Sequence, residues 1–178
     1  VTVQDAGRYE NITGDLTSSL GNSGTARDIL RITSAPNVQF KKSFDVSSVV
    51  QGATMTLTHT IDNSRSLIDV ANVAFTESFP NTTIDPGAQV ASPVIASTTC
   101  SDATLSVTAQ SGGYSLSGGT LAAGETCSVS VLLLAQNVGT FDTTGGDLTS
   151  TRGSTTPKQA SIEVTAAGAP DFSKAFSP

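Results

Sequence analysis

Charge is scarce in this sequence: charged residues fill 13% of its 178 positions, about half the share of an average soluble domain. Nine Lys and Arg stand against fifteen Asp and Glu, for a net charge of −6. Nucleic-acid binding is therefore not expected, because a phosphate-tracking surface needs clustered cations and the densest basic point is only Lys41-Lys42. Trp is absent and Tyr occurs twice, which speaks against a platform of flat rings for sugars. No apolar run approaches 18 residues; residues 131–135 form the longest, so no membrane insertion of this segment is expected. No signal peptide is visible. The first residue is Val1 rather than Met, as expected of an excerpt or a processed product.

Reactive residue types are equally thin. His59 is the single histidine and Cys100 and Cys127 are the two cysteines. Three such ligands far apart fall short of a metal site, and no C-x-x-C redox pair is present. A Ser-His-Asp triad would have to be built on His59, yet no G-x-S-x-G elbow accompanies it. Phosphate-loop and dinucleotide fingerprints are missing. The expectation is a protein that is not an enzyme, with no cofactor and no metal.

What fills the chain instead is Thr, Ser and Gly. β-branched Thr suits the half-exposed face of a strand, and a mean hydropathy close to zero argues against a disordered linker. Met55, Leu57, His59 and Ile61 alternate with threonines, and Val73, Phe75, Glu77 and Phe79 alternate with Asn72, Ala74, Thr76 and Ser78. Leu105, Val107 and Ala109 do likewise. Cys127, Val129, Val131 and Leu133 alternate with Ser128 and Ser130, then with Leu132 and Leu134, as expected of a central strand covered on both faces. Turn residues separate these runs, and no helical period persists. An all-β, immunoglobulin-like antiparallel sandwich of seven to nine strands is predicted, with a barrel as the alternative. Within it His59 reads as a core or interface histidine donating one hydrogen bond, and Glu77 as a buried acid.

The chain also repeats itself. At an offset of 132 positions, residues 1–46 align without gaps to residues 133–178, with 13 of 46 identical. Gly14-Asp15-Leu16-Thr17-Ser18 matches Gly146-Asp147-Leu148-Thr149-Ser150 without a change, and Phe40, Lys42 and Phe44 match Phe172, Lys174 and Phe176. Pro and small residues near 35–36 and 167–170 mark junctions. Residues 1–35 are thus expected to be the C-terminal strands of a preceding repeat and 36–167 one complete repeat. Residues 168–178 would be a linker and the first strand of the next. The partners expected are neighbouring repeats or copies of the chain itself, with residues 1–35 docking in cis or on another molecule by strand exchange.

Several stretches carry a resemblance: Phe40-x-Lys42-x-Phe44, Gly52-x-x-Met55-x-Leu57-x-x-x-Ile61-x-Asn63, and Asn72-Val73-Ala74-Phe75-Thr76-x-x-Phe79-Pro80. They resemble the bacterial cell-surface tandem repeats with DUF11-like immunoglobulin-like domains. Ser97-Thr98-Thr99-Cys100 and Ser117-Gly118-Gly119-Thr120-Leu121-Ala122-Ala123-Gly124-x-x-Cys127-x-Val129 are similar to their cysteine-bearing branch. The resemblance implies an extracellular, cell-surface protein with a stalk or adhesin role and no catalytic residues. In an exported chain Cys100 and Cys127 read as a disulfide, two buried free thiols being the alternative. Surface domains of similar shape also carry Lys–Asn or Lys–Asp isopeptide bonds assisted by an acid. Lys42 and Glu77 could take part in one, but residues 161–165 offer no Asn or Asp. Asp62, Asn63, Asp69 and Asp147 read as turn residues, and Asn11-Ile12-Thr13 and Asn81-Thr82-Thr83 as weak glycosylation patterns.

Overall fold

The computed structural model describes residues 7–32, 37–79, 87–168 and 173–174, and the chain divides into two compact units, Val1–Pro36 and Asn37–Pro178. No helix occurs among the described residues. The first unit holds β1 (Gly7–Ile12), β2 (Thr17–Ser18), β3 (Gly21–Asn22) and β4 (Arg27–Ile32). β1 pairs antiparallel with β4, and the short β2–β3 hairpin interrupts the connection between them.

The second unit is an immunoglobulin-like antiparallel β-sandwich. Its strands are β5 (Gln39–Phe44), β6 (Ser48–Val50), β7 (Thr54–Asp62), β8 (Val70–Ser78), β9 (Ala88–Val90), β10 (Ala96–Thr98), β11 (Thr104–Val107), β12 (Gly113–Leu121), β13 (Thr126–Ala135), β14 (Gly139–Thr144), β15 (Leu148–Ser150), β16 (Gly153–Thr155) and β17 (Gln159–Thr165). One sheet runs β10-β13-β7-β5 with β9 also on β13; the other runs β11-β12-β8-β15-β16. A third, β14-β17-β6, closes the sandwich, and its β17–β6 pair is parallel.

Alternation sets which side of each strand is buried, because successive residues face opposite sides of a sheet. Met55, Leu57, His59 and Ile61 of β7 are enclosed, as are Val73, Phe75 and Glu77 of β8, with Phe79 just beyond it. From the facing strands come Tyr114, Leu116 and Leu121 of β12 and Val129, Val131 and Leu133 of β13. In β8 the phase slips by one residue between Val70 and Val73, both buried. Asn72 there takes a left-handed φ of 55°, beside a shift in the β12–β8 register, the signature of a β-bulge.

Two expectations change. The described residues of the second unit form thirteen strand segments rather than seven to nine strands. The sheet edges are broken: β9 and β10 share a single lane, pairing with Leu133–Ala135 and Val129–Val131 of the same β13 edge. Leu132 and Leu134 are half-buried, so the second face of β13 is only partly covered. The expected opening strand of a further repeat lies almost wholly outside the described residues.

Cys100 and Cys127 form a disulfide. It joins neighbours in one sheet, since β10 ends at Thr98, opposite Val129 on β13, and so fastens a three-residue edge strand. Closing a 27-residue separation contributes about 3–4 kcal/mol on the chain-entropy account. Thermal unfolding of a Cys100→Ala/Cys127→Ala variant is expected about 10 °C below the oxidised protein, with added reductant moving only the latter; equal midpoints would show that the crosslink carries no stability.

Candidate functional site: a buried Lys–Glu–His–Tyr chain

Four polar side chains meet inside the apolar core, and strand register explains why. In one sheet Lys42 of β5 lies directly opposite His59 of β7. In the other, Glu77 of β8 lies directly opposite Tyr114 of β12. The two cross-strand pairs face one another across the sandwich, and hydrogen bonds join them. Lys42 Nζ donates to Glu77 Oε1 at 2.6 Å, His59 Nε2 meets Glu77 Oε2 at 3.0 Å, and Tyr114 Oη meets His59 Nδ1 at 3.0 Å. One proton arrangement satisfies every group: Tyr114 O–H donates to Nδ1, and Nε2–H donates to the carboxylate.

No part of the Lys42, Glu77 or His59 side chains is exposed. The Lys42 backbone lies on the β5 edge, in the wall of a groove of about 590 Å³ lined also by Asn37, Lys41, Thr155 and Lys158, while its ammonium is enclosed. Aromatic rings complete the seal. Phe40 stacks on His59 with centroids 5.4 Å apart, Phe75 lies 4.6 Å from the same ring, and Phe79 packs on Tyr114. Two glycines admit the carboxylate strand. A Cβ at Gly113 would fall 2.2 Å from the Glu77 carbonyl oxygen, and one at Gly145 would fall 2.7 Å from Glu77 Oε2. The first lies against fixed backbone and excludes any side chain, whereas the second is relieved only by moving the Glu77 carboxylate from its hydrogen bond to His59.

Burial dominates the electrostatics. It pushes the Lys42 ammonium below its ordinary pKa, with the Glu77 contact opposing the shift. It also lowers His59, against the pull of Glu77, so the ring is neutral, and it raises the Tyr114 hydroxyl. The hydrogen-bonding geometry is that of one ammonium and two neutral donors around one carboxylate. Desolvating such a pair cancels much of its attraction, so its net contribution is small, whereas removing one partner strands a buried charge. Its value lies in locking the register and facing of the two sheets.

Part of this site is legible in the sequence. His59 and Glu77 occupy the core positions expected of them, and His59 donates one hydrogen bond, to Glu77, while its other ring nitrogen accepts from Tyr114. Tyr114 goes unnoticed in the sequence; the signal is its phase with Leu116 opposite the Glu77 strand. Lys42 and Glu77 meet as an isopeptide constellation requires, yet the residue facing them is Gly145, whose Cβ position lies 3.9 Å from Lys42 Nζ and which has no side-chain carboxyl or carboxamide. The other polar side chains bond to turns, nearby or across the unit. Asp62 Oδ1 accepts from Ser64 N–H, Asp69 Oδ1 from Ala123 N–H, and Asp147 Oδ2 from the Ser154 hydroxyl. Asn63 Nδ2 donates to the Ile68 and Ala122 carbonyls. Asn11 is exposed in the first unit, and Asn81-Thr82-Thr83 lies outside the described residues.

The family model described as "Domain of unknown function (DUF7933)" matches residues 38–165. Among solved structures, the cohesin module of a Clostridium perfringens ATCC13124 family 33 glycoside hydrolase is similar, with a TM-score of 0.52 at 10% identity. The alignment covers 76% of this chain and 100% of that one. AvmM, which catalyses macrocyclization in alchivemycin A biosynthesis, aligns over 77% of this chain and 93% of its own, with 10% identity and a TM-score of 0.43. No curated protein matches. At such identity the cohesin likeness shows the β-sandwich fold alone.

Two outcomes follow from the buried chain. Glu77→Gln is expected to cost about 3–5 kcal/mol in denaturant unfolding, while Lys42→Met/Glu77→Leu costs clearly less; equal losses would show that the charges are not coupled. Because His59 is held neutral, the unfolded chain takes up a proton below about pH 6.5 that the folded chain refuses. Stability is therefore expected to fall from pH 6.5 to 5 more steeply in the wild type than in His59→Gln, by up to about 1.4 kcal/mol per pH unit.

Proposed function

We propose that this chain, which belongs to the DUF7933 family, is a non-enzymatic structural repeat of an extracellular surface protein, acting as a spacer in a stalk or filament. The observation that carries this reading is duplication in register. β1 pairs with β4 through Gly7↔Ile32 and Tyr9↔Leu30, and β14 pairs with β17 through Gly139↔Val164 and Phe141↔Ile162, every residue displaced by 132. The small hairpins agree too, Thr17↔Asn22 with Thr149↔Ser154 and Ser18↔Gly21 with Ser150↔Gly153. A unit copied to this accuracy suits a tandem array, in which each repeat has a short closing element of its own. The disulfide favours an oxidising, extracellular setting, and the resemblance to DUF11-like surface repeats agrees with it.

Mechanical work is the role the topology supports. β6 near the start of the unit runs parallel to β17 at its end. Tension applied at opposite ends of two parallel strands loads their hydrogen bonds together rather than one by one. Gln51 N–H to the Thr165 carbonyl and Glu163 N–H to that of Ser47 belong to this clamp. The buried Lys42–Glu77 contact and the disulfide oppose separation deeper inside. The enclosed polar chain serves cohesion, since nothing dissolved in water reaches it.

A second reading, an adhesin module that binds a host protein or glycan through its loops, draws on Leu67 and Ile68, 95% and 51% exposed between β7 and β8. Single-molecule extension decides between them. The spacer is expected to unfold in a distinct force peak that Val49→Pro lowers, with reduction adding about 90 Å of contour length from the disulfide-closed segment. Extension without a peak, together with partner capture abolished by Leu67→Asp, would replace the spacer by the adhesin.

A further inference from the structure

The two hairpins share a register but not an environment. Leu148, Ile162 and Val164 of the closing hairpin are each 1% exposed, whereas Leu16 and Leu30, in the places of Leu148 and Ile162, are 72% and 50% exposed and Ile32, in the place of Val164, is half-buried. Within the second unit the closing hairpin is held by the β8 edge and by β6. Gly146 N–H donates to the Thr76 carbonyl and Thr151 N–H to that of Ala71, the Thr149 hydroxyl reaches the Ala74 carbonyl, and β17 pairs with β6. The first unit carries Gly14, Ser19, Thr17 and β4 in the same places. Its internal bonds are also the same. Thr13 N–H donates to the Ala26 carbonyl as Gly145 N–H does to Lys158, and Leu20 N–H meets the Ser18 hydroxyl as Arg152 N–H meets Ser150. It therefore has the register of a hairpin that closes a sandwich, with Leu16 and Leu30 on the side that would face the core and Asn11 and Asp28 beside them.

Three substitutions say which sandwich it does not close. At the place of Gly145 stands Thr13, on backbone held by the equivalent hydrogen bond. A Cβ there would lie 2.7 Å from Glu77 Oε2, and that oxygen cannot swing aside while Lys42 and His59 hold the carboxylate. Asp28 stands at the place of Ala160, which packs against the core, so a carboxylate would enter apolar surroundings beside an existing one. Asn11 stands at the place of Thr143, itself 2% exposed.

We infer that residues 7–32 are the closing hairpin of a preceding repeat whose body carries a smaller, uncharged residue at the place of Glu77, and that they are barred from closing the body that begins at residue 37 in any copy of this chain. The inference rests on the tandem-repeat reading and gives it a rule of order. Hairpins are specific to their own bodies, so repeats join in line without strand exchange.

The full chain tests it. Gly145→Thr is expected to lower the melting temperature by about 5 °C or more; in a Lys42→Met/Glu77→Ala background the same substitution costs less than half as much. A chimera carrying residues 7–33 in place of 139–165 is expected to melt cooperatively in that background and not with Glu77 present; should neither fold, the Gly145→Thr coupling alone decides. Equal costs in both backgrounds would overturn the inference, as would a concentration-dependent dimer of the wild type that Leu16→Asp abolishes. A parent polypeptide without an upstream sandwich would instead overturn the repeat reading and leave the coupling untouched.

Discussion

The carboxylate of Glu77 is the group on which the sandwich depends, because it is the point where both sheets and the closing hairpin converge. Lys42 and His59 reach it from one sheet, Tyr114 reaches it through His59 from its own, and Gly145 passes over it with no side chain. An apolar contact would tolerate a small slide of one sheet over the other. A fully buried ion pair with a neutral histidine on its second oxygen does not, since any slide leaves a charge or a donor unsatisfied in a medium of low dielectric. The core leucines and valines supply the driving force of folding, while this contact decides which facing of the sheets that force stabilises.

The disulfide acts at a different level. It joins strands that already pair within one sheet, so it adds little to the sandwich contact and instead retains β10, a strand of three residues at an edge. Edge strands that short fray readily, and the covalent link lets the edge stay narrow. The two devices therefore divide the work. The buried polar chain fixes sheet against sheet, and the crosslink fixes a thin margin to its neighbour.

Most of the fold was legible in the sequence because its core strands alternate cleanly. The threonine ladder around Met55, Leu57, His59 and Ile61 and the phase of Val73, Phe75, Glu77 and Phe79 put the buried faces where the structure has them. Less legible were features that depend on what lies opposite. Nothing local marks Tyr114 as the partner of His59, because their meeting follows from two registers in separate sheets. Gly145 reads as a turn residue until the carboxylate beyond it is seen. The bulge at Asn72 and the split lane of β9 and β10 are likewise consequences of pairing, and the sequence carries only weak local signals for them. The duplication at 132 residues was plain from identity, whereas the shared register with opposite exposure depends on what packs against each hairpin.

The closing hairpin comes last in its unit, and β17 pairs with β6 across more than a hundred residues of chain. Chain emerging from its N-terminus thus exposes an open half-sandwich until its final strands appear. In a tandem array the hairpin of the unit before is already present at that moment, covalently near and folded in the same register. It is the most concentrated competitor for the open edge. A missing side chain at Gly145, set against a threonine at Thr13, is then a device of timing as much as of fit, since it keeps the open unit waiting for its own last strands.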